Sequence, residues 1–534
     1  MTRTTHASPP ATARPATTGA PAPAAPATPM THREVLEALS GLLLALFVAM
    51  LSSTIVTNAL PTIVTELHGN ESGYSWVVVA TLLTTTASTP VWGKLADLFS
   101  KKLLVQMGLT VFAAGSVLAG LAPNMGFLIG ARAVQGIGVG GLTALVQVVI
   151  ASIVPPRERG RYSGYIGATF ALATVSGPLV GGLIVDTPGL GWRWCFFVGI
   201  PVALLAFGVL QKTLHVKTIR RADVSVDYVG AALIAGGVST LLVWVSLAGT
   251  NFAWLSSTTY LLVGAGLLLL AAAVAVELRV REPIIPMRLF RDRTTSLAVF
   301  ASIMVGVAMF GGTVFLSQYF QVAHGMTPTQ AGLMSIAMVG GLVVSSMSTG
   351  RIITRRGRWK RFLVGGMMLV VVGLALLTTI NADTSLVVVG SYMAVLGVGL
   401  GGTLQNLVLA VQNNTAQSDM GAASSLVAFF RTLGGSIGVS ALGAALGTKV
   451  SQETAAGLAR AGVKAPGVGG SSSVPNLSAL PPVVRSVVMH AFGDGTGHIF
   501  LLATPFAVLA LVAVLFIHEV PLRTTIERAD ELPA

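Results

Sequence analysis

The sequence predicts an all-α integral membrane protein, and the prediction depends on composition, apolar segments and the distribution of basic residues. The chain has 534 residues, of which 53% are hydrophobic and 10% are charged. A soluble domain carries about 25% charged residues. The mean hydropathy is +0.78, so most of the chain is expected to lie in lipid.

Apolar segments of roughly 20 residues, the length that a membrane helix needs, recur about fourteen times. They lie near 36–61, 74–93, 103–122, 125–153, 162–187, 194–213, 227–248, 258–278, 295–322, 329–353, 362–381, 385–411, 421–448 and 497–517.

Basic residues fall mainly in alternate loops between these segments. Loops rich in Lys and Arg stay in the cytoplasm. We therefore expect a multi-pass protein of the plasma membrane with both termini cytoplasmic. The same distribution accounts for the net charge of +13 as a topology signal, and no nucleic-acid partner is expected.

Two inner loops repeat one pattern, a glycine at a helix end followed by a basic cluster. They read GKLADLFSKK at 93–102 and GRIITRRGRW at 350–359. Repeated halves are typical of secondary transporters. The first loop resembles the G-x-L-a-D-r-x-G-r-k motif of the major facilitator superfamily, and departs from it at Leu98 and Ser100. The matching residues are Gly93, Leu95, Asp97, Lys101 and Lys102.

Five further stretches resemble motifs of that superfamily, and two of them, those at 51–61 and 430–438, resemble motifs of its fourteen-span drug:proton antiporter family. They are LSSTIVTNALP at 51–61, RAVQGIGVG at 132–140, ATVSGPLVGG at 173–182, WRWCFFVGIP at 192–201 and FRTLGGSIG at 430–438. The resemblance implies a major facilitator fold of two six-helix bundles with two extra spans between them. It also implies efflux driven by proton entry.

This fold divides the chain into five parts. They are a disordered cytoplasmic tail at 1–34, an N-terminal bundle at 35–213, two linker helices with flanking basic loops at 214–293, a C-terminal bundle at 294–518 and a cytoplasmic tail at 519–534. Within the C-terminal bundle, residues 449–495 are rich in Gly, Ser, Ala and Pro and are expected to form a long extracytoplasmic loop.

Asp97 lies where the second span meets the cytoplasm. A carboxylate there can accept hydrogen bonds from a helix N-terminus or pair with a basic residue. We expect it to act as a latch between the bundles, within a gating loop that includes Gly93, Lys101 and Lys102. The alternative is a solvated loop aspartate.

Gly177 and Pro178 are expected to shape the fifth span. Proline removes a helix hydrogen bond and kinks the span, and glycines at four-residue spacing let helices approach closely. The pair could form a hinge, or it could serve packing alone.

Arg132 is a charge inside a span, about 10 Å deep from Met125 at 1.5 Å per residue. Ser52 lies at a similar depth, where the family pattern has an aspartate. The nearest plausible acid is Asp186, although carbonyls, water and Gln135 could satisfy Arg132 instead. Arg431 raises the same question in the thirteenth span.

No predicted span carries an acid near its middle, so the usual type of proton-carrying residue is missing. The acids that touch spans lie at their ends: Asp97, Asp186, Asp227, Glu277 and Asp383. Asp97 and Asp186 are the candidates for coupling.

Polar residues within spans predict a substrate cavity, weakly polar and without negative charge, although each could be a packing residue. The candidates are Ser52, Thr54, Asn58, Gln135, Gln318, Tyr319, Gln405 and Asn406. No catalytic constellation, metal site or cofactor motif is found, so the chain is not expected to be an enzyme.

The expected function is secondary active export of amphipathic small molecules, such as drugs or antibiotics, by alternating access and proton antiport. The expected partners are a small-molecule substrate, protons and membrane lipid, with the oligomeric state open. Export of a lipid or an anionic metabolite is the alternative within transport. A non-transporting scaffold or sensor is the alternative of another class, and the antiporter motif disfavours an uptake symporter.

Overall fold

The computed structural model describes residues 32–68, 71–187, 189–214, 225–249, 251–462 and 481–524. The predicted N-terminal tail up to residue 31 and most of the C-terminal tail lie outside the described residues. So do the side chains of Asn58, Pro178 and Asp186, although all three belong to described helices.

The N-terminal half forms six spans, the last of which is a short helix and a longer one in series. The helices are α1 (His32–Glu66), α2 (Glu71–Leu98), α3 (Lys101–Gly120), α4 (Met125–Ile153), α5 (Pro156–Asp186), α6 (Trp194–Phe197) and α7 (Gly199–Thr213).

Two linker helices and a second six-span bundle follow. The linker helices are α8 (Tyr228–Leu247) and α9 (Ser257–Glu277). The second bundle comprises α10 (Arg293–Val322), α11 (Pro328–Met334), α12 (Ile336–Arg356), α13 (Lys360–Leu377), α14 (Leu386–Asn414), α15 (Met420–Arg460) and α16 (Pro482–Leu515), with α11 and α12 in series. The fold is therefore all-α, with two bundles and two extra spans, as predicted.

Thirteen helices in the described part of the chain are long and apolar enough to cross a membrane. Helix α2 has 28 residues and is also long enough, but its hydroxyl groups make it more polar. Thr85 Oγ1 donates to the Gly136 carbonyl at 3.1 Å, and Trp92 Nε1 donates to the Ile137 carbonyl at 3.0 Å. Its polar face is thus satisfied by the backbone of α4, as lipid requires.

Small residues bring the helices of the first bundle into close contact. A Cβ on Gly138 of α4 would stand 2.5 Å from the Phe112 backbone nitrogen of α3, closer than atoms can pack. The apolar core of the second bundle continues onto the linker helices, because Ile234 and Val238 of α8 and Ala273 of α9 belong to it.

The basic loops lie together at one end of the molecule, which we call the basic end; Lys101, Arg157 and Arg356 mark it. Near this end the bundles meet along two seams, one between α2 and α15 and the other between α5 and α12. At the second seam, a Cβ on Gly160 would stand 2.6 Å from the Gly350 carbonyl oxygen. Only glycine allows this approach.

The segment at 449–495, expected as a long extracytoplasmic loop that is a flexible linker or contains a short helix at 452–461, is helical at both of its ends. Helix α15 continues to Arg460, and α16 begins at Pro482. Residues 449–460 contain good helix formers, and Lys449 pairs with Glu453 one turn later at 2.9 Å, which supports the helix outside the apolar segment. Residues 463–480 lie outside the described residues.

We predict that Gly138→Val lowers the stability of the protein by roughly 1–3 kcal/mol, because the added methyl groups force α3 and α4 apart. Thermal unfolding in detergent measures the effect. Gly264→Val in α9 is the matched control, since a Cβ there meets nothing within 4 Å. Equal unfolding temperatures for the two variants would contradict the packing described for Gly138.

Candidate functional site

Asp97 joins the two bundles at the basic end. Its Oδ1 accepts a hydrogen bond from the Gly421 backbone N–H at 2.7 Å, and its Oδ2 accepts one from Ala422 N–H at 2.9 Å. Both donors lie in the first turn of α15, where N–H groups have no partner within the helix and the helix dipole favours an anion. The structure therefore places Asp97 in the geometry predicted for a latch.

Gly93 allows this latch to close. A Cβ on Gly93 would overlap Ser425 and stand 2.7 Å from the Gly421 carbonyl oxygen. The first turn of α15 can therefore reach Asp97 only if residue 93 has no side chain.

The carboxyl group of Asp97 lies beyond the predicted span at 74–93. Burial raises its pKa from 3.8 to about 7, against the opposing effects of the Ala422 and Gly421 N–H groups and of Lys101 and Lys94. Asp97 can thus change its charge near neutral pH while the latch is closed.

The basic residues of the gating loop have separate contacts. Lys101 interacts electrostatically with Asp97. Lys102 Nζ donates to the Gln211 carbonyl of α7 at 2.6 Å, which anchors the loop within its own bundle. Of the two, only Lys101 acts on the latch carboxylate.

Two arginines at the start of α5 hold the second seam. Arg157 donates to the Thr354 and Arg355 carbonyl oxygens at the end of α12, both at 3.3 Å. Arg159 is 5% exposed and donates from Nη1 to Gln412 Oε1 of α14 at 2.9 Å. These contacts close the basic end from the side opposite Asp97.

Weaker polar contacts continue both seams toward the middle of the molecule. Ser346 Oγ donates to the Ser163 carbonyl at 3.2 Å, and Gln147 Nε2 of α4 lies 3.4 Å from Gln405 Oε1 of α14. All these inter-bundle hydrogen bonds lie in the basic half, so the described conformation is closed at the basic end.

Arg132, Gln135 and Ser52 form one buried network within the first bundle. Arg132 Nη1 donates to Gln135 Oε1, and Gln135 Nε2 donates to Ser52 Oγ at 2.9 Å and to Ser116 Oγ at 2.7 Å. Gln135 therefore links the arginine to the serine predicted at the same depth.

The charge of Arg132 has no carboxylate partner among the described residues. The residue is 4% exposed, and its Nε has no hydrogen-bond partner in the described part of the chain. The Phe196 ring centroid lies 6.0 Å from its Cζ. The side chain of Asp186, the predicted acidic partner, lies outside the described residues.

Arg431 lies about 16 Å from the start of α15 at 1.5 Å per residue. It is half-buried, and its carbonyl oxygen would overlap a Cβ placed on Gly306 of α10. Arg431 thus stands where α15 and α10 pack tightly within the second bundle.

Thr54 and Gly177 meet where α1 packs on α5. Thr54 Oγ1 donates to the Ala173 carbonyl of α5 at 3.3 Å, and a Cβ on Gly177 would overlap the threonine side chain. Gly177 thus serves close packing, and the hinge remains a prediction.

Three predicted cavity residues lie in the second bundle without facing a described cavity. Tyr319 is fully buried and donates to the Asn381 carbonyl at 2.7 Å. Asn406 Nδ2 donates to the Gly402 carbonyl of its own helix at 2.7 Å. Gln318 is half-buried.

Two surface cavities of about 380 and 260 Å³ lie at opposite ends of the molecule. One is lined at the basic end by residues that include Arg157 and Arg356, and the other includes Asp383 and His490. Neither is lined by the predicted cavity residues, so the substrate cavity stays a prediction.

The sequence interpretation missed the contacts of Arg157, Arg159 and Gln412. In the sequence, these arginines indicate only that their loop lies on the cytoplasmic side of the membrane. A basic residue in the first turn of a helix is unfavourable for the helix dipole. That position is the one sequence signal that Arg157 and Arg159 have a partner outside α5.

The comparisons with known proteins agree with this architecture. Residues 42–439 match the Major Facilitator Superfamily, and the chain belongs to that family. Its structure is similar to that of XylE, a proton:xylose symporter of the same superfamily, with a TM-score of 0.58 at 13% identity over 92% of this chain and 97% of the XylE chain. That likeness shows the fold alone.

Two relatives carry names that state a transport role. The chain is 34% identical to the multidrug transporter protein MdtP of Bacillus subtilis over 77% of its own length and 75% of the relative. It is 33% identical to the efflux pump dotC of Dothistroma septosporum over 92% of its length and 84% of the relative. The chain is also 36% identical to an MFS-type transporter of Mycobacterium tuberculosis, over 92% of its own length and 71% of the relative. The protein is a transporter, and the expectation that it is not an enzyme is confirmed.

We predict that Asp97→Ala opens the basic end, because two buried N–H groups lose their acceptor. A buried donor left without an acceptor costs about 1–3 kcal/mol, so accessibility should rise about tenfold or more. A Ser346→Cys reporter in a Cys195→Ala background, labelled with a water-soluble maleimide, measures it. Asp383→Ala, at an acid whose side chain is 81% exposed, is the control. Unchanged labelling in the Asp97 variant would show that Asp97 does not hold the basic end closed.

We predict that labelling of the same reporter rises as the pH increases from about 6 to 8 around the pKa of Asp97. The closed form, with a pKa of about 7, binds the proton more tightly than an open form in which the carboxyl group faces water at about 3.9. Acid therefore favours the closed form and alkali the open form. Asp97→Asn should reduce this pH dependence; an identical profile in the variant would contradict it.

Proposed function

We propose that the protein exports amphipathic small molecules from the cytoplasm by alternating access, coupled to proton entry. The observation that carries the proposal is a basic end closed by Asp97 against the first turn of α15. Such a contact can form and break as two rigid bundles rock, whereas a scaffold has no need of it. The relatives named as a multidrug transporter and an efflux pump support the direction of transport.

The basic end is assigned to the cytoplasm in this proposal, because basic loops remain inside. Both termini then lie in the cytoplasm and the protein lies in the plasma membrane. The described conformation would be the outward-facing or occluded one, in which the cytoplasmic gate is shut. Opening it requires breaking the contacts of Asp97, Arg157 and Arg159.

The substrate cavity is proposed to lie between the bundles, on the side of the seams away from the basic end. Gln147 and Gln405 would stand at its floor, since they meet across the bundles at 3.4 Å. Their neutral amides can bind donors and acceptors alike. A cavity of this kind suits varied amphipathic molecules.

Export of an anionic metabolite or lipid is the second candidate. It is favoured by Arg132, a buried cation without a carboxylate partner among the described residues. An unpaired charge in a membrane is costly, and an anionic cargo could offset that cost. Arg431 adds a second cation at mid-membrane depth.

We predict that exported compounds dissipate a preset pH gradient in everted vesicles, because each export step admits protons. Cationic, neutral and anionic amphiphiles form the test panel. Export that continues unchanged after the pH gradient is collapsed would show that protons do not drive it.

Arg132→Ala should reduce export of anionic compounds at least tenfold, and Arg279→Ala, at an exposed loop arginine, is the matched control. If both variants export normally, Arg132 has no part in transport.

A further inference from the structure

Two buried acids lie at the basic end of the linker helices, apart from the latch. Asp227 is the N-cap of α8, and Glu277 is the last residue of α9. They are only 7% and 3% exposed. Nothing in the latch or in the polar network around Arg132 uses either residue.

The two carboxyl groups converge on the backbone of Gly230. A Cβ on Gly230 would overlap Asp227 Oδ2 and stand 2.9 Å from Glu277 Oε1. The oxygens of both acids thus border the same small space, which the absence of a side chain at residue 230 leaves open.

The hydrogen bonds of this pair leave one oxygen unaccounted for. Glu277 Oε1 and Oε2 accept from the Ile284 and Ile285 N–H groups at 3.2 and 3.1 Å. Asp227 Oδ1 accepts from Gly230 N–H at 2.7 Å. Asp227 Oδ2 is buried and has no partner within the described part of the chain. A buried carboxylate oxygen without a donor is costly.

The charge around the pair also requires neutralisation. Lys94 of α2 is 2% exposed, but it is bonded to Glu282, which follows α9. Among the described residues, Glu282 and Glu277 therefore both interact with this one ammonium group. Two adjacent carboxylates away from water do not both ionise.

A proton meets both requirements. On Glu277 it removes one charge and provides a donor for the unpaired Asp227 Oδ2, since Glu277 Oε1 borders the same space. The described residues contain no group of three or more His, Cys, Asp or Glu that could hold a metal ion, so a proton fits this pair better than a metal.

We infer that Asp227 and Glu277 bind one proton between them, and that this pair is a proton site of the transport cycle. The second part rests on the proposed proton-coupled export, whereas the first does not. When the pair meets water, the proton leaves Glu277 for the solvent, and two carboxylates remain.

The position of α8 connects the pair to the gate. Helix α8 packs against both α2 and α15, the helices that Asp97 joins. Lys94 lies one turn before Asp97 and holds the segment after α9 through Glu282. Separation of α15 from α2 would therefore admit water beside the pair and release its proton at the basic end.

Other charged groups surround the pair without replacing the proton. Arg288 and Asp419 bond to each other at 2.7 Å between the segment before α10 and the start of α15. Asp97 and Lys101 interact with each other on the α2 side. Lys94 is thus the one cation described as acting on Glu277.

Infrared spectroscopy of the full chain in liposomes tests the proton directly. A protonated carboxyl group has a carbonyl band that ionised carboxylates lack and that shifts in heavy water. We expect Asp227→Asn to remove one such band, while Asp383→Asn keeps it. Asparagine remains a good N-cap and its amide can donate to Glu277, so the variant should fold. Glu277→Gln should remove the same band, because the protonated carboxyl group is then absent. Full bands in both variants would overturn the shared proton.

Vesicle transport tests the second part. We expect Asp227→Asn to lose the acceleration of export by a pH gradient, while Asp383→Asn keeps it. If Asp227→Asn loses its infrared band but retains full gradient dependence, the pair is not a proton site of the cycle. If the unmodified protein shows no gradient dependence, the proposed coupling fails, and the infrared result still decides whether the pair shares a proton.

Discussion

The hydrogen bonds between Asp97 and the first turn of α15 are the interaction on which the closed basic end depends. The N–H groups of Gly421 and Ala422 lie at a helix start, where no carbonyl of the same helix can accept them. A carboxylate from the other bundle satisfies both. Two bundles that share no covalent contact at this seam are thereby held in one arrangement, and the contact can be undone without unfolding either bundle.

The fold and the latch could be predicted because they follow from local patterns. An apolar segment long enough to cross the bilayer must be a helix, because only a helix forms all of its backbone hydrogen bonds within a single segment. Asp97 stands out because a glycine four residues earlier and basic residues four and five residues later define a motif. The need for Gly93 is physical as well as a matter of resemblance, because a side chain there would collide with α15.

The remaining contacts could not be predicted because they join residues far apart in the chain. The rise per residue predicts that Ser52 and Arg132 lie at a similar depth. Only the packing of α1, α3 and α4 shows that Gln135 lies between them and bonds to both. Tyr319 is a predicted cavity residue, yet its hydroxyl group donates to the Asn381 carbonyl in the segment that follows helix α13. The extensions of α15 and α16 beyond their apolar segments are too polar to resemble membrane spans, although they still favour helix.

The distance between the basic ends of the two bundles tests most directly whether Asp97 holds them together. Spin labels at Phe99 and Arg355, both exposed and on opposite bundles, report it in a Cys195→Ala background by pulsed electron resonance in nanodiscs. We expect a short distance to dominate at low pH and a longer one to gain population at high pH, with Asp97→Ala populating the longer one throughout. A single short distance in every sample would contradict the central role of Asp97.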